Sequence, residues 1–320
     1  MTRIGQLEVN RLGLGCMGMS AVYGRPDPVE AAATLVHAVH RGVTMFDTAD
    51  MYGSGHNERF IGTVLAPYRD EVVLASKTGI LTVPGVGVPR GVDARPDRIR
   101  RAVDASLRRL GTDRIDLYYL HRVDPCVPIE ESVGALAEAA AAGKVREIGV
   151  SEVTADELRR AHATHPIAAA QLEWSLFSRD KETEVIPTAR ELGIAVVCYS
   201  PLGRGMLTGS PAATTDLPLL DYRRFLPRWS RANVTANVAA VATVRAIADE
   251  LGVTPGRVAL AWLLAQGEDV IPIPGTKRRR YLEDNLAAAD VCLSPAHLDV
   301  LGAIAPSGAR YGFDPTGSIS

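Results

Sequence analysis

Apolar positions along this chain follow two alternating rhythms. Eight short runs are almost continuously apolar and rich in β-branched residues: 12–15, 43–47, 72–76, 115–120, 146–150, 168–171, 194–199 and 270–273. Short apolar runs of this kind suit strands buried on both faces, as parallel sheets require. Between them the spacing lengthens to that of helices. Ile99, Val103, Leu107 and Leu110 mark one helical face, and Val238, Val241, Val244, Ile247 and Leu251 mark another. Thr154 with Glu157 is a capping-box pattern. Thr254-Pro255 and Ser294-Pro295 each read as an N-cap followed by Pro in the first helical position.

Eight strand–helix units predict a (β/α)8 TIM barrel, a fold that needs about 250 residues. The extra length has places to go. The polar-alternating segment 1–9 predicts a short N-terminal hairpin capping the barrel bottom. Segments 80–95 and 203–237 predict long loops at the C-terminal face, the second without clear periodicity. Segment 303–320 is a Gly/Pro/Ser tail carrying Tyr311 and Phe313. No linker or shift in composition divides the chain, so residues 1–320 read as a single barrel domain. The sixth run holds Ala168, Ala169 and Ala170, which suit a helix equally well.

Composition narrows the function classes. The chain has 320 residues, 47% of them hydrophobic, with 35 basic and 37 acidic side chains and a net charge of −2. That excludes a disordered or coiled-coil chain and gives no electrostatic case for nucleic acid or a membrane surface. No run reaches the roughly 18 apolar residues of a membrane span, and the first residues carry no apolar signal region. Cys16, Cys126, Cys198 and Cys292 are far apart and read as reduced thiols in a cytoplasmic protein. His162 and His165 lack a third ligand nearby, so no metal site is expected. The composition carries no signal for or against an oligomer. Among the basic residues only Lys77, Lys144, Lys181 and Lys277 are lysines. Arg fills nearly every surface role, so each lysine invites a reason.

Gly13, Gly15 and Gly18 match GxGxxG. In a dinucleotide fold of the doubly wound type, that loop opens a helix. Here Gly24, Pro26 and Pro28 follow, which delays any helix. The motif reads instead as a strand end turning across the barrel top.

Barrel chemistry projects from the C-terminal ends of the strands. Asp47 ends the second run, with Tyr52 just beyond it. Lys77 follows the third, and His121 follows the fourth. Each has a bland alternative: a turn aspartate, a rim aromatic, a surface ammonium, a packed histidine. Together they suit one task. A phenol with a pKa of about 10 donates poorly at neutral pH. An adjacent ammonium favours the phenolate and pulls that pKa down. Asp47 would hold Lys77, Lys77 would tune Tyr52, and His121 would donate to a carbonyl oxygen gaining charge.

Residues 46–53 (FDTADMYG), 75–77 (ASK) and 117–121 (LYYLH) closely resemble the aldo-keto reductase superfamily in order and spacing. Asn57-Glu58, Gly149-Val150-Ser151, 199–203 and 273–285 extend the resemblance over most of the chain. It implies a catalytic tetrad of Asp47, Tyr52, Lys77 and His121. It implies hydride transfer between a nicotinamide cofactor and an aldehyde or ketone, with Tyr52 supplying the proton. Gly15, Cys16 and Met17 would line the cofactor. Tyr199 would stack on the nicotinamide, with Ser151, Glu152 and Gln171 at its carboxamide. Glu152 departs from the family's usual Asn, and a carboxylate cannot donate to the carboxamide oxygen. Leu202, Gly203, Arg204 and Gly205 would form a loop over the pyrophosphate, with Arg204 a contact, and Ser200 and Pro201 would also line the cofactor. Thr276 and Lys277 would meet a 2′-phosphate, Asn285 and Tyr281 the adenine, and Gly275 and Asp284 would also line the cofactor. This basic cluster favours NADPH (NADP+), with NADH possible. Tyr23 and Trp229, with Met17, are candidate substrate-lining residues. Two rival readings remain: a cofactor-binding regulatory subunit of the channel β-subunit type, and a Schiff-base barrel aldolase using Lys77.

Overall fold

In the computed structural model an antiparallel hairpin, β1 (Thr2–Ile4) with β2 (Leu7–Val9), comes first. The described residues are 1–20, 23, 24, 26–83, 89–210, 214, 217–219 and 221–312. Next come β3 (Leu14–Gly15), β4 (Met45–Asp47) and β5 (Val73–Thr78). A second hairpin, β6 (Ile80–Thr82) with β7 (Pro89–Val92), interrupts the series. Then follow β8 (Ile115–Leu120), β9 (Val145–Ser151), β10 (Ala169–Glu173), β11 (Ala195–Tyr199) and β12 (Val270–Pro272). Apart from the two hairpins, each strand pairs in parallel with the next, giving an eight-stranded sheet. Its two edges meet where the Gly13 amide donates to the Pro272 carbonyl at 3.0 Å and Gly15 bridges Gly275. A Cβ on Gly15 would lie 2.8 Å from the Ile273 carbonyl oxygen, so glycine is what allows that edge to close.

Helices α1 (Pro28–His40), α2 (His56–Leu65), α3 (Pro96–Leu110), α4 (Ile129–Ala141), α5 (Ala155–Thr164) and α6 (Val185–Glu191) follow successive strands. After β11 come α7 (Arg231–Leu251) and α8 (Pro255–Leu264); α9 (Arg279–Leu286) and α10 (Pro295–Gly302) complete the chain. The start signals act as their chemistry suggests. Thr154 and Glu157 form a complete capping box, the Thr254 hydroxyl accepts from the Arg257 amide, and Ser294 caps α10. On α3, Ile99, Val103 and Leu110 are buried. The GxGxxG segment leads only into a short 3-10 turn, Met17–Ser20, and α1 waits for its Asp27 cap and Pro28.

The ambiguous sixth run is a strand. Ala169 and Ala170 pair with Gly149 and Val150 on one side and with Ala195 and Val196 on the other, and that pairing overrides alanine's helical preference. The described residues of segment 203–237 are more regular than its pattern suggests, while 211–213, 215, 216 and 220 lie outside the described residues. The segment carries short 3-10 turns, and α7 already starts at Arg231. That first turn is exposed and presents no apolar stripe. Its anchor is polar: Asn237, fully buried, donates to the carbonyls of Arg228 and Ser307.

Strand parity organises the interior. Met45, Val73, Ala75, Leu117, Tyr119, Ala169, Ala195, Val197 and Ile271 fill the barrel, and Ile4, Leu7 and Val9 of the first hairpin close its bottom. Alternate residues such as Leu74, Tyr118 and Val196 pack outward beneath the helices. Counting by two from the core carries Asp47, Lys77, His121, Ser151, Gln171 and Tyr199 to the top of the same interior.

Gly149 makes room for the Tyr119 ring inside the barrel, whereas a Cβ on Gly134 of α4 meets nothing within 4 Å. Gly149→Ala is therefore expected to destabilise the fold by about 1–3 kcal/mol through overpacking. Gly134→Ala is expected to stabilise it by about 0.5–1 kcal/mol through helix propensity. Urea denaturation of both variants checks the contrast, and a shift of the same sign in each would contradict it.

Candidate active site

Lys77 is the centre of the site. It is fully buried, and its Nζ donates to Asp47 Oδ1 at 2.5 Å and to the Thr48 carbonyl at 2.8 Å. The same Nζ lies 3.5 Å from the Tyr52 hydroxyl and 5.1 Å from that ring's centroid. Asp47 is itself held: its Oδ2 accepts from Gln171 Nε2 at 2.8 Å. Burial opposes the ammonium, but Asp47 and Tyr52 outweigh it and raise the Lys77 pKa. A Schiff-base nucleophile needs the reverse, a neutral amine.

Tyr52 reaches Lys77 because the chain beyond β4 runs on against β5. The Thr48 amide donates to the Ala75 carbonyl, and the Asp50 amide donates to the Lys77 carbonyl. The chain then turns sharply through Gly53, Ser54 and Gly55, all with positive φ. Asn57 locks this turn, accepting from the Thr48 hydroxyl at 2.6 Å and donating to the Cys16 carbonyl at 3.0 Å. Asp50 accepts from the Thr78 hydroxyl at 2.7 Å, and burial pushes its carboxyl pKa up to about 7.

The His121 and Tyr52 rings form a T-shaped pair, with centroids 6.2 Å apart and planes at 85°. Burial and the nearby Lys77 and Arg122 cations lower the His121 pKa well below its ordinary value, so the imidazole is neutral. Its Nδ1 is buried with no hydrogen-bond partner among the described residues.

One expectation is corrected. Lys77 was to pull the Tyr52 pKa down, but in this structure the pKa is raised above 10.0. Burial is the largest cause, Lys77 opposes it, and the Asp47 carboxylate adds to it. The phenol is thus a firmly protonated donor with an ammonium beside it for the anion it would leave.

Around this centre the expected cofactor residues divide. Gly15 and Gly275 meet at the barrel seam. The Cys16 side chain is fully buried, so its thiol packs in the core, while Met17 opens the 3-10 turn above. Ser200, Gly203, Arg204 and Gly205 all have positive φ, bending the loop beyond β11 sharply over Pro201 and Leu202. Lys277 donates to the carbonyls of Tyr23 and Gly24 at 2.8 and 3.1 Å. Among the described residues neither Lys277 nor Arg278 forms an ion pair, whereas Arg279 pairs with Glu30 at 2.9 Å. Thr276 sits beside them, Tyr281 is exposed under the Arg280 guanidinium, and Asn285 is buried on α9. Two unpaired cations and a hydroxyl at the start of a helix form a donor set that fits a phosphate.

Four side chains behave differently from expectation. Arg204 is buried and paired with Glu173 at 2.7 Å, under the Tyr311 ring, so it offers no free charge to a pyrophosphate. Asp284 accepts from Thr254 Oγ1 and Arg257 Nε, both at 2.8 Å. Glu152 has positive φ; its Oε1 accepts from the Glu173 amide at 2.7 Å and its Oε2 from Arg310 at 3.3 Å. Trp229 is buried in the largest core cluster and presents little surface to a substrate. Tyr23 fares better: its ring lies 5.2 Å from the Arg223 guanidinium, and burial pushes its pKa up to about 12.

Sequence reading missed Arg122, Glu173 and Tyr311. Arg122 directly follows His121 at a strand end, the one signal that could have flagged it. Tyr311 folds back from the tail so that its hydroxyl meets those of Tyr199 at 3.2 Å and Arg204 Nη2 at 2.8 Å. The described residues contain no cluster of His, Cys, Asp and Glu suited to a metal, and no helix among them is long and apolar enough to cross a membrane.

Known proteins resemble this chain in sequence and in fold. The Aldo/keto reductase family model matches residues 11–305. The Schizosaccharomyces pombe aldo-keto reductase yakc, whose name carries NADP(+), is 44% identical over 322 residues, spanning 96% of this chain and 94% of that protein. The structure of the glycerol dehydrogenase AKR11B4 from Gluconobacter oxydans superposes with a TM-score of 0.86 at 29% identity, over 95% of this chain and 94% of that one. A Klebsiella pneumoniae aldo/keto reductase solved with NADP and acetate gives a TM-score of 0.73 at 28% identity, over 97% and 96% of the two chains.

Proposed function

The chain belongs to the Aldo/keto reductase family, and we propose that it is an NADPH-dependent oxidoreductase that reduces aldehydes or ketones to alcohols. We read residues 1–320 as one barrel domain serving that reaction. The observation that carries the reading is the Lys77 ammonium, 2.5 Å from Asp47 and 3.5 Å from the Tyr52 hydroxyl. When bound, NADPH supplies the hydride that reduces the carbonyl carbon. Tyr52 gives its phenolic proton to the carbonyl oxygen as negative charge develops there. Lys77 then faces a phenolate and stabilises it, while Asp47 keeps Lys77 charged. His121, neutral, donates a second hydrogen bond to the same oxygen and orients it.

Side chains that would hold the cofactor run along the barrel top. The Tyr199 ring would lie against the nicotinamide, with Ser151 at its carboxamide. The backbone of the Ser200–Gly205 turn would follow the pyrophosphate. Thr276 and Lys277 would meet the 2′-phosphate, and Tyr281 and Asn285 the adenine. Burial and Arg278 lower the Lys277 pKa, and an arriving phosphate would relieve that repulsion.

Tyr52→Phe is expected to lower kcat for carbonyl reduction by at least about a hundredfold while NADPH still binds. The raised phenol pKa also predicts a flat kcat for reduction from about pH 7 to about pH 10, falling only above that. Steady-state NADPH oxidation with an aldehyde panel checks both. Retained activity in the variant, or a wild-type limb centred near neutrality, would remove Tyr52 as the acid. Lys277→Ala is expected to weaken NADPH about tenfold or more, with little effect on NADH. Equal losses in a calorimetric titration of both would contradict the 2′-phosphate assignment.

A further inference from the structure

Arg122 is 7% exposed and stands at the junction of three barrel strands. Its Nη1 donates to the His121 carbonyl at 2.7 Å and to Ser151 Oγ at 3.2 Å, and its Nη2 approaches the Tyr199 hydroxyl at 3.5 Å. One guanidinium thus ties together the ends of β8, β9 and β11. All three partners are neutral, and among the described residues Arg122 forms no ion pair. A guanidinium has five N–H groups, so two have no partner among the described residues. A buried cation with spare donors is costly unless a ligand brings an acceptor.

The residues around it leave that acceptor's identity narrow. A nicotinamide carboxamide needs a donor for its oxygen and an acceptor for its NH2 group. Glu152 can only accept when ionised, and both its oxygens already do. One of the two N–H donors of Gln171 is committed to Asp47. Ser151 Oγ accepts from Arg122, which leaves its hydroxyl hydrogen available to donate to a ligand. The Tyr199 ring, expected against the nicotinamide, carries the hydroxyl that Arg122 touches.

We propose that Arg122 binds the carboxamide oxygen of the nicotinamide, through its spare N–H groups and through the Ser151 hydroxyl it positions. It replaces the amide donor that Glu152 cannot supply. The proposal rests on the NADP(H) reading above. Burial opposes its charge, yet nearby Tyr199, Tyr311 and Glu152 keep Arg122 ionised. The cation in turn helps hold His121 neutral.

The test compares two ligands by isothermal titration. NADP+ carries the carboxamide; adenosine 2′,5′-bisphosphate carries only the adenine end. Arg122→Leu is expected to weaken NADP+ about ten- to hundredfold, the range for a hydrogen bond to a charged group, and to leave the bisphosphate unchanged. Arg122→Lys keeps the cation without the fork, and an intermediate loss confined to NADP+ is expected. It also serves if the leucine variant fails to fold. Equal weakening of both ligands, or no change in either, overturns the role of Arg122. A wild-type protein that binds neither ligand overturns the cofactor reading, and this proposal with it.

Discussion

The site depends on one ion pair buried beneath the barrel mouth. An ammonium with no exposed surface is tolerated only beside an anion, and removing one partner of such a pair typically costs about 3–5 kcal/mol. Lys77 has that anion in Asp47, and Asp47 has a second donor in Gln171. The pair links three strands, β4, β5 and β10, across the barrel interior. It also fixes where a cation can stand, and so where a phenol must come to use it. The irregular extension of β4, held at Asp50 and Asn57, brings Tyr52 to that place.

A second arrangement of buried charge shapes the other side of the mouth. Glu173 is 1% exposed and receives Arg204, the Ser178 hydroxyl and the more distant Arg228. Tyr311 from the tail packs against Arg204, and Arg310 ties to Glu152. Charges that resemble cofactor contacts on paper are therefore already neutralised within the protein. Arg122, Lys277 and Arg278 stand out because they form no ion pair among the described residues. Arg122 lies just past the end of β8, whereas Lys277 and Arg278 lead into α9.

Much of this was legible in the sequence. Apolar runs located the eight strands, capping residues located helix starts, and period-two counting carries the core face up to Asp47, Lys77 and His121. The scarce lysines pointed to Lys77 and Lys277. What escaped was partnership. Ala169 and Ala170 become a strand through neighbours far away in the chain. The start of α7 is fixed by Asn237 and Ser307, a polar contact with no periodic signature. Arg204 looked like a phosphate ligand because its ion pair with Glu173 spans residues 31 apart. The rise in the Tyr52 pKa follows from burial, a property of the folded chain that residue order does not carry.

The chemistry of the site rests on Lys77 being a charged ammonium beside Tyr52. With only four lysines in the chain, selective 13Cε-lysine labelling gives a spectrum simple enough to titrate residue by residue. Assignment comes from the signal lost in Lys77→Arg. The Lys77 resonance is expected to remain mainly that of a charged amine at pH 10.5, where an ordinary lysine is half titrated. A Lys77 signal that titrates near neutrality would contradict it.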